Sequence, residues 1–140
     1  MNEPIIEERF DCEGFPCVVM FFPDGFRYGA VGIPKWHKYY GANLEDMSII
    51  CHGGLIYSDY TLCFQKDKYT YWIVFGCNKE NDKIDIEKLK KYYGNITKNK
   101  AMKHLKTNGT IRDFDYVKRE CMGIVEQLIQ KQAVGKDWCG

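Results

Sequence analysis

Residues 113–134 read DFDYVKRECMGIVEQLIQKQAV, and this stretch decides the fold. Its apolar side chains recur three and four residues apart, which predicts a long amphipathic helix with one face for a core. That face comprises Phe114, Val117, Cys121, Ile124, Val125 and Leu128. Asp113 is the predicted N-cap and Gly135 the predicted stop. The helix spans about 30 Å, enough to cross a five-stranded sheet. Packing on a sheet is favoured over the alternative, a seam between two copies.

The first half of the chain supplies that sheet, because short runs of β-forming residues there are separated by turn residues. The predicted strands are Cys17–Phe22, Arg27–Ile33, Ser48–His52, Leu55–Tyr57, Tyr60–Phe64 and Tyr69–Gly76, with the last two forming a hairpin. The most apolar segment, Tyr71–Phe75, is expected to lie centrally. The sequence therefore predicts an α+β fold, with an antiparallel sheet of about five strands packed against the C-terminal helix.

Two short helices are expected before the long one. Asp85 to Tyr93 has helical spacing, with Asp85 as its N-cap and Gly94 as its stop. Lys98 to Lys106 is the second candidate. No repeat, linker or low-complexity tract interrupts the chain, so residues 1–140 are predicted to form a single domain.

The charge balance excludes some classes of partner. Lys and Arg number 20, and Asp and Glu number 19, so generic duplex DNA binding driven by net charge is disfavoured. The Lys-rich stretch 79–106 is interpreted as a solvated helical face. No apolar run approaches the roughly 20 residues of a membrane span, and no signal peptide is recognisable. We therefore expect a cytoplasmic protein without a membrane partner.

The seven cysteines favour a reducing compartment. Their number is odd and no CxxC pair occurs, so neither a disulfide framework nor a zinc-finger spacing is present. Most are expected to be small buried hydrophobic residues. A metal site would have to combine His37 and His52 with Asp46, Asp59 or Asp82, and nothing in the spacing demands one. No metal and no cofactor are predicted.

His52-Gly53-Gly54 is the first candidate site. Two glycines after a predicted strand allow a tight turn that exposes backbone N–H groups, which beside an imidazole suit an anion. The alternative is a glycine bulge with a buried, hydrogen-bonded histidine.

The aromatic and cationic loop Lys35-Trp36-His37-Lys38-Tyr39-Tyr40 is the second candidate site. Aromatic faces stack on bases and lysine neutralises phosphate, so this loop favours a nucleotide ligand, with a protein-binding or structural loop as the alternative. Arg27 and Arg112 are further candidates for holding a phosphate. The common motifs of phosphate-binding loops, zinc proteases and serine hydrolases are absent, which favours binding over catalysis.

Three segments carry a resemblance to a known family: Phe15–Val19, Arg27–His37 and Cys51–Ser58. They resemble a family of small, largely uncharacterised proteins of tailed bacteriophages. That family reads G-Y-P-C, then C-G-Y-V-x-V-P-x-G-H-P-x-Y-G, then V-H-G-G-L-T-Y-S, and closes with a helix. The resemblance covers about residues 14–78 and carries over His37, Tyr40, Gly41, His52, Gly53, Gly54, Tyr57, Ser58 and Trp72.

This sequence departs from the family pattern at residues 75–82. The family has G-F-D-x-x-H-x-x-D there, whereas this chain reads Phe-Gly-Cys-Asn-Lys-Glu-Asn-Asp. The family's histidine is missing and its preceding aspartate is shifted or replaced. A binding role tolerates such a loss better than a catalytic role does.

The resemblance implies a phage protein that counters host immunity. We expect an inhibitor of bacterial antiviral defence that sequesters a nucleotide-derived immune signal in the host cytoplasm, at a site enclosed by a homodimer. The alternatives are an inhibitor that binds a host defence protein, such as a CRISPR effector, and a hydrolase of nucleotide signals with His52 or His37 as acid–base. The predicted ligand-binding residues are Arg27, Lys35, Trp36, His37, Tyr40, His52, Gly53, Gly54, Tyr57 and Ser58.

Overall fold

The computed structural model describes residues 3–63, 65–66, 69–94 and 108–139, with the side chains of all of these except 65–66 and 133–139. In chain order, the described residues form nine strands, one 3-10 turn and two α-helices. They are β1 (Ile5–Cys12), β2 (Phe15–Phe21), β3 (Arg27–Pro34), a 3-10 turn (Leu44–Asp46), β4 (Leu55–Asp59), β5 (Thr61–Leu62), β6 (Gln65–Lys66), β7 (Thr70–Gly76), β8 (Asp82–Lys83), α1 (Ile86–Tyr93), β9 (Thr110–Ile111) and α2 (Phe114–Cys139).

Five strands form one antiparallel sheet in the order β1-β2-β3-β7-β4. The C-terminal helix α2 packs against one face of this sheet, over strands β1, β2 and β3. The predicted α+β architecture is therefore confirmed. Strand β7 is an interior strand, as expected from its apolar residues, although β3 occupies the middle position. The pairings of both edge strands with their neighbours contain a register shift, between Ile6 and Glu8 in β1 and between Leu55 and Tyr57 in β4.

Tight turns join the first three strands. Glu13 and Gly14 connect β1 to β2 with φ values of 51° and 88°, which is the two-residue geometry that fits the twist of a hairpin. Between β2 and β3, the Asp24 carboxylate accepts a hydrogen bond from the Phe26 N–H at 2.9 Å, and Gly25 has a φ of 88°. The first of these hairpins was not expected from the sequence, because β1 carries four charged residues.

The two faces of the sheet have different covers. Phe15, Val19, Val31, Ile73 and Phe75 face α2, and all are at most 1% exposed. The apolar face of α2 supplies the other half of this core, namely Val117, Cys121, Ile124, Val125 and Leu128, with Phe114 partly buried. On the opposite face, Leu62 of the small β5–β6 hairpin packs over Val18, Met20, Ala30, Trp72 and Val74. We call this opposite side the hairpin face.

One predicted strand and one predicted hairpin pairing are wrong. Residues 48–52 form no strand, and this segment belongs to a long irregular connection between β3 and β4. The expected hairpin of Tyr60–Phe64 with Tyr69–Gly76 is replaced by the two-residue strands β5 and β6, whereas β7 pairs with β3 and β4. Phe64 itself lies outside the described residues.

The helix caps match most expectations. The Asp85 carboxylate accepts a hydrogen bond from the Lys88 N–H at 3.3 Å, and Gly94 ends α1 with a φ of 74°. Asp113 caps α2 by accepting from the Tyr116 N–H at 2.8 Å. Gly135 does not end α2, because the helical backbone continues to Cys139. The helix predicted at Lys98–Lys106 lies outside the described residues.

Candidate functional site

The connection between β3 and β4 lies along α2 in the opposite direction to the helix, and we call residues 35–54 the strap. His37 Nε2 lies 2.7 Å from the Leu128 carbonyl oxygen, and the Gln127 amide pairs with both the N–H and the C=O of Ile50. At the other end of the strap, the His52 N–H donates to Glu120 at 2.8 Å. These contacts hold a segment without regular structure in a defined position.

A partly buried polar cluster around the buried Asp82 carboxylate fixes the end of the strap. His52 Nε2 lies 2.7 Å from one Asp82 oxygen, and Arg112 Nε donates to the other at 2.9 Å. His52 Nδ1 lies 2.7 Å from the Tyr116 hydroxyl. The Arg112 guanidinium also lies over the Tyr116 ring, at 4.9 Å from its centroid. We call these four residues the His52 cluster.

Asp82 is the charged centre of the His52 cluster. Burial of its carboxyl opposes ionisation, but hydrogen bonds from Arg112, from the Lys79 N–H and from His52 outweigh burial and lower its pKa. The Asp82 carboxylate accepts a hydrogen bond from His52 Nε2, and in the neutral tautomer with its proton there, Nδ1 accepts from the Tyr116 hydroxyl. The result is a tyrosine–histidine–carboxylate chain, in which burial raises the pKa of the Tyr116 hydroxyl and so opposes loss of its proton.

The paired glycines next to His52 form the predicted turn. Gly53 and Gly54 have φ values of 69° and 79°, which other residues adopt only with strain. The Gly54 N–H donates to the Cys51 carbonyl oxygen at 3.0 Å. A Cβ at Gly53 would lie 2.6 Å from Lys79 Cε, so the flexible lysine side chain would have to move, and the positive φ is what favours glycine there.

His37 occupies the other end of the strap and is 3% exposed. Its Nδ1 accepts from the Tyr39 N–H at 3.0 Å, which places the remaining proton on Nε2 for donation to the Leu128 carbonyl. Burial lowers the pKa of His37, while the Leu128 hydrogen bond partly opposes this. His37 is therefore a neutral, fully bonded core residue.

The two predicted candidate sites lie far apart. Tyr116 and Leu128, the helix residues that contact His52 and His37, are separated by about 18 Å along α2. The glycine turn and the aromatic loop consequently do not share one concavity. Ligand binding by their residues remains a prediction, and it would have to involve each part separately.

Arg27 lies in a third place, under α1. Its guanidinium pairs with Glu7 at 2.7 Å and with Asp85 at 2.8 Å, and its side chain is 1% exposed. It also donates to the Arg112 carbonyl oxygen and lies over the Phe21 ring. Every one of these contacts is internal, so Arg27 ties β1, β3 and α1 together.

The other predicted site residues divide between the two faces. Tyr40 packs its ring against Tyr60 and Tyr71, and Ser58 accepts from the Tyr71 hydroxyl at 3.0 Å. Tyr57 is 41% exposed and lies on the hairpin face. Gly41 lies close to the Tyr60 hydroxyl.

Lys35 and Trp36 are exposed at one end of the sheet. Trp36 is 61% exposed and meets Phe15 edge-on, with ring centroids 5.5 Å apart. Lys35 Nζ lies 5.6 Å from the ring centroid of Tyr69, which is 60% exposed. Large aromatic rings in contact with solvent near lysine are typical of recognition surfaces.

A groove of about 460 Å³ opens on the hairpin face at this same end. One cation and one carboxylate line it among mostly apolar residues, and the lining is Arg9, Phe10, Asp11, Pro16, Cys17, Val18, Thr70 and Trp72. Thr70 follows Tyr69 directly in the chain, so the groove adjoins the exposed aromatic ring and Lys35. Arg9 is exposed and forms no ion pair within the described part of the chain. We call this space the Arg9 groove.

The sequence did not point to the Arg9 groove or to Asp82. Strand β1, which carries Arg9, was not predicted. Asp82 was one of three carboxylates named beside His52 as possible metal ligands, and the sequence offered no way to choose among them. Among the described residues, no group of three or more His, Cys, Asp or Glu side chains is arranged to hold a metal ion. No helix in the described part is long and apolar enough to cross a membrane.

No protein-family model, curated protein or solved structure matches this chain. The chemistry of the sites must therefore carry the assignment of function.

Proposed function

We propose that the protein binds and sequesters a nucleotide-derived small molecule, and that the ligand lies in the Arg9 groove. The observation that carries this proposal is a groove of about 460 Å³ lined by Arg9 and Trp72, with the Lys35–Tyr69 pair adjoining its lining residue Thr70. Cations hold phosphate and an aromatic face holds a base, so the groove offers both halves of nucleotide recognition.

The energetic terms favour a ligand with more than one base. Stacking contributes about 1–3 kcal/mol per base, and each charge-assisted hydrogen bond contributes about 1.5–3 kcal/mol. One stacked base with two bonded phosphate oxygens gives about 4–9 kcal/mol before the cost of association is subtracted, so a dinucleotide, which offers more contacts, is the better ligand. The floor of the groove, Val18 and Trp72, is part of the sheet and therefore ordered before the ligand arrives.

The biological setting in this proposal comes from the family resemblance. The likeness of the segments around His37 and His52 to tailed-phage proteins supports a role against host immunity, in the host cytoplasm. A sequestering protein needs no catalytic group, and its ligand would be an immune signal such as a cyclic dinucleotide or an ADP-ribose derivative.

A ligand-recovery experiment tests the proposal. The protein is incubated with a panel of cyclic dinucleotides and ADP-ribose derivatives, the free ligand is measured, and the protein is then denatured. We expect depletion of one ligand and its recovery unchanged. Depletion of none of them would contradict the proposal and would favour a host protein as partner.

Two variants locate the site. Arg9→Ala and Tyr69→Ala should each weaken the depleted ligand's affinity at least tenfold in calorimetry. Arg119→Ala is the matched control, because Arg119 is exposed on α2 away from the groove. Equal affinity in all three variants would place the ligand elsewhere.

The His52 cluster favours a second candidate function, hydrolysis of a nucleotide signal. A tyrosine–histidine–carboxylate chain is able to activate a hydroxyl, with the imidazole as general base. This candidate predicts a chemically changed ligand after incubation, and loss of turnover in Tyr116→Phe without loss of folding. Recovery of intact ligand would exclude it for the compounds tested.

A further inference from the structure

A second, larger cavity lies on the hairpin face beside the Arg9 groove. Its volume is about 610 Å³, and Met20 and Val74 form part of its lining. These residues stand two positions along β2 and β7 from the groove residues Val18 and Trp72. Leu62 and Cys63 at the end of β5 also line it, so we call it the β5 cavity.

The polar groups of the β5 cavity are mostly acceptors. Tyr28 donates its hydroxyl proton to Asp24 at 2.6 Å, and Tyr57 donates to Asp59 at 3.1 Å or to the Thr61 carbonyl oxygen at 3.2 Å. The Tyr28 oxygen also accepts from the Asn78 amide at 3.1 Å, so both phenol oxygens offer a ligand only their remaining lone pairs. The Thr61 hydroxyl also lines the cavity and can donate or accept. Side-chain acceptors therefore outnumber donors in the described lining.

The charge of the β5 cavity points the same way. Among the described residues that line it, Glu3 is charged and no lysine or arginine is present. Arg9 acts electrostatically on Cys63 from the neighbouring groove, and Glu3 opposes it there. None of its described lining residues is a cation that could pair with a phosphate or carboxylate, whereas the aromatic faces of Phe22, Tyr28 and Tyr57 attract cations.

We propose that the β5 cavity binds a small hydrophobic amine. The apolar ring of the ligand would contact Met20, Phe22 and Val74, and its ammonium group would face the Glu3 carboxylate and the phenol oxygens. An anion built on the same ring would lose its hydration and face the like charge of Glu3. The cavity is large enough for a ligand of this size. Its preference is opposite to that of the Arg9 groove, so amine binding does not rest on the proposed nucleotide binding.

The test compares two indole probes that differ in charge. Tryptamine and indole-3-acetate share a ring system, and each is titrated against the dye N-phenyl-1-naphthylamine bound to the full chain. We expect tryptamine to displace the dye at a concentration at least tenfold lower than indole-3-acetate does. The proposal would be overturned if the two probes displaced the dye equally well, if indole-3-acetate bound more tightly than tryptamine, or if the dye did not bind.

A substitution at the rim checks the location. Ile56 lines the cavity and is 44% exposed, so Ile56→Lys adds an ammonium group there without disturbing the core. This variant should lower the affinity for tryptamine at least tenfold and raise the affinity for indole-3-acetate. Ile111→Lys is the matched control, because Ile111 is 40% exposed in β9, and it should leave both probes unchanged. Unchanged probe affinities in Ile56→Lys would overturn the proposal, and nucleotide depletion by the same variant reports separately on the Arg9 groove.

Discussion

Single residues in this protein are constrained by the space around them, and two glycines show the extremes. Gly29 in β3 has no room for a side chain, since an added Cβ would overlap the Phe75 ring and lie 2.9 Å from Cys121 Sγ. Gly123 in α2 has no neighbouring atom within 4 Å of such a Cβ. The same substitution should therefore have opposite effects at these two positions.

Gly29→Ala should destabilise the protein by about 1–3 kcal/mol, because α2 would have to move away from the sheet. Gly123→Ala should stabilise it by about 0.5–1 kcal/mol through the better helix propensity of alanine. Urea denaturation of both variants measures the difference. A Gly29→Ala variant as stable as the parent would mean that the core beside Phe75 is looser than described.

Asp82→Asn tests the charge of the His52 cluster. The substitution leaves Arg112 without its carboxylate, and at neutral pH it should cost about 3 kcal/mol, as breaking a buried ion pair does. Because the folded pKa of Asp82 is lowered, its stabilisation is present above the ordinary carboxyl pKa of 3.8 and is lost as the pH falls below it through the folded pKa.

The stability gap between the parent and Asp82→Asn should accordingly narrow in acid, as measured by denaturation at several pH values. Asp115→Asn, at an exposed position in the first turn of α2, is the control and should cost a few tenths of a kcal/mol. A gap that is independent of pH would contradict the ionised state of Asp82.

The sequence predicted residue types better than residue partners. The Gly53-Gly54 turn was predictable because positive φ values are a local property. Arg27 was predicted to bind a ligand because its ion-pair partner Glu7 lies on β1, a strand that was not predicted. His52 and Asp82 are distant in sequence, so only the fold brings them together. Ligand binding at the predicted residues remains a prediction.

At the scale of elements, the strap depends on side chains of α2 for hydrogen bonds that a strand would provide by backbone pairing. Gln127→Ala removes both bonds to Ile50 and should cost about 1–2 kcal/mol. Hydrogen exchange at the Ile50 amide should accelerate in this variant. Gln130→Ala, at an exposed position of the same helix, is the control and should change neither quantity. Unchanged exchange at Ile50 in Gln127→Ala would show that other contacts hold the strap.

The helices were predictable and the strap was not, for related reasons. Helical periodicity and the caps Asp85 and Asp113 are written locally in the sequence. Residues 48–52 contain two isoleucines and resemble a strand, yet β7 already has β3 and β4 as neighbours. Pairing within a sheet depends on which strands compete, and a short apolar run does not carry that information.

At the scale of the whole molecule, burial orders the reactivity of the cysteines. Cys17, Cys77 and Cys121 are at most 1% exposed, and burial raises the pKa of Cys17 and of Cys77 to about 12. Cys12 and Cys63 are only partly buried. A neutral thiol in a core reacts slowly with alkylating reagents, since the thiolate is the nucleophile.

Native-state labelling with iodoacetamide should therefore modify Cys12 and Cys63, and should modify the three buried thiols only after urea is added. A Cys139→Ser background removes the cysteine whose side chain is not described, and peptide mass spectrometry gives the order. Labelling of Cys121 before Cys12 would contradict the packing of α2 on the sheet.

The register shifts at Ile6–Glu8 and Leu55–Tyr57 have a consequence for crowded solutions. Both outer strands of the sheet deviate from the regular spacing that a neighbouring chain needs to continue the hydrogen-bond ladder. Molecules that meet edge to edge cannot add to each other in register, so growth of fibres from the native state is blocked at either end of the sheet.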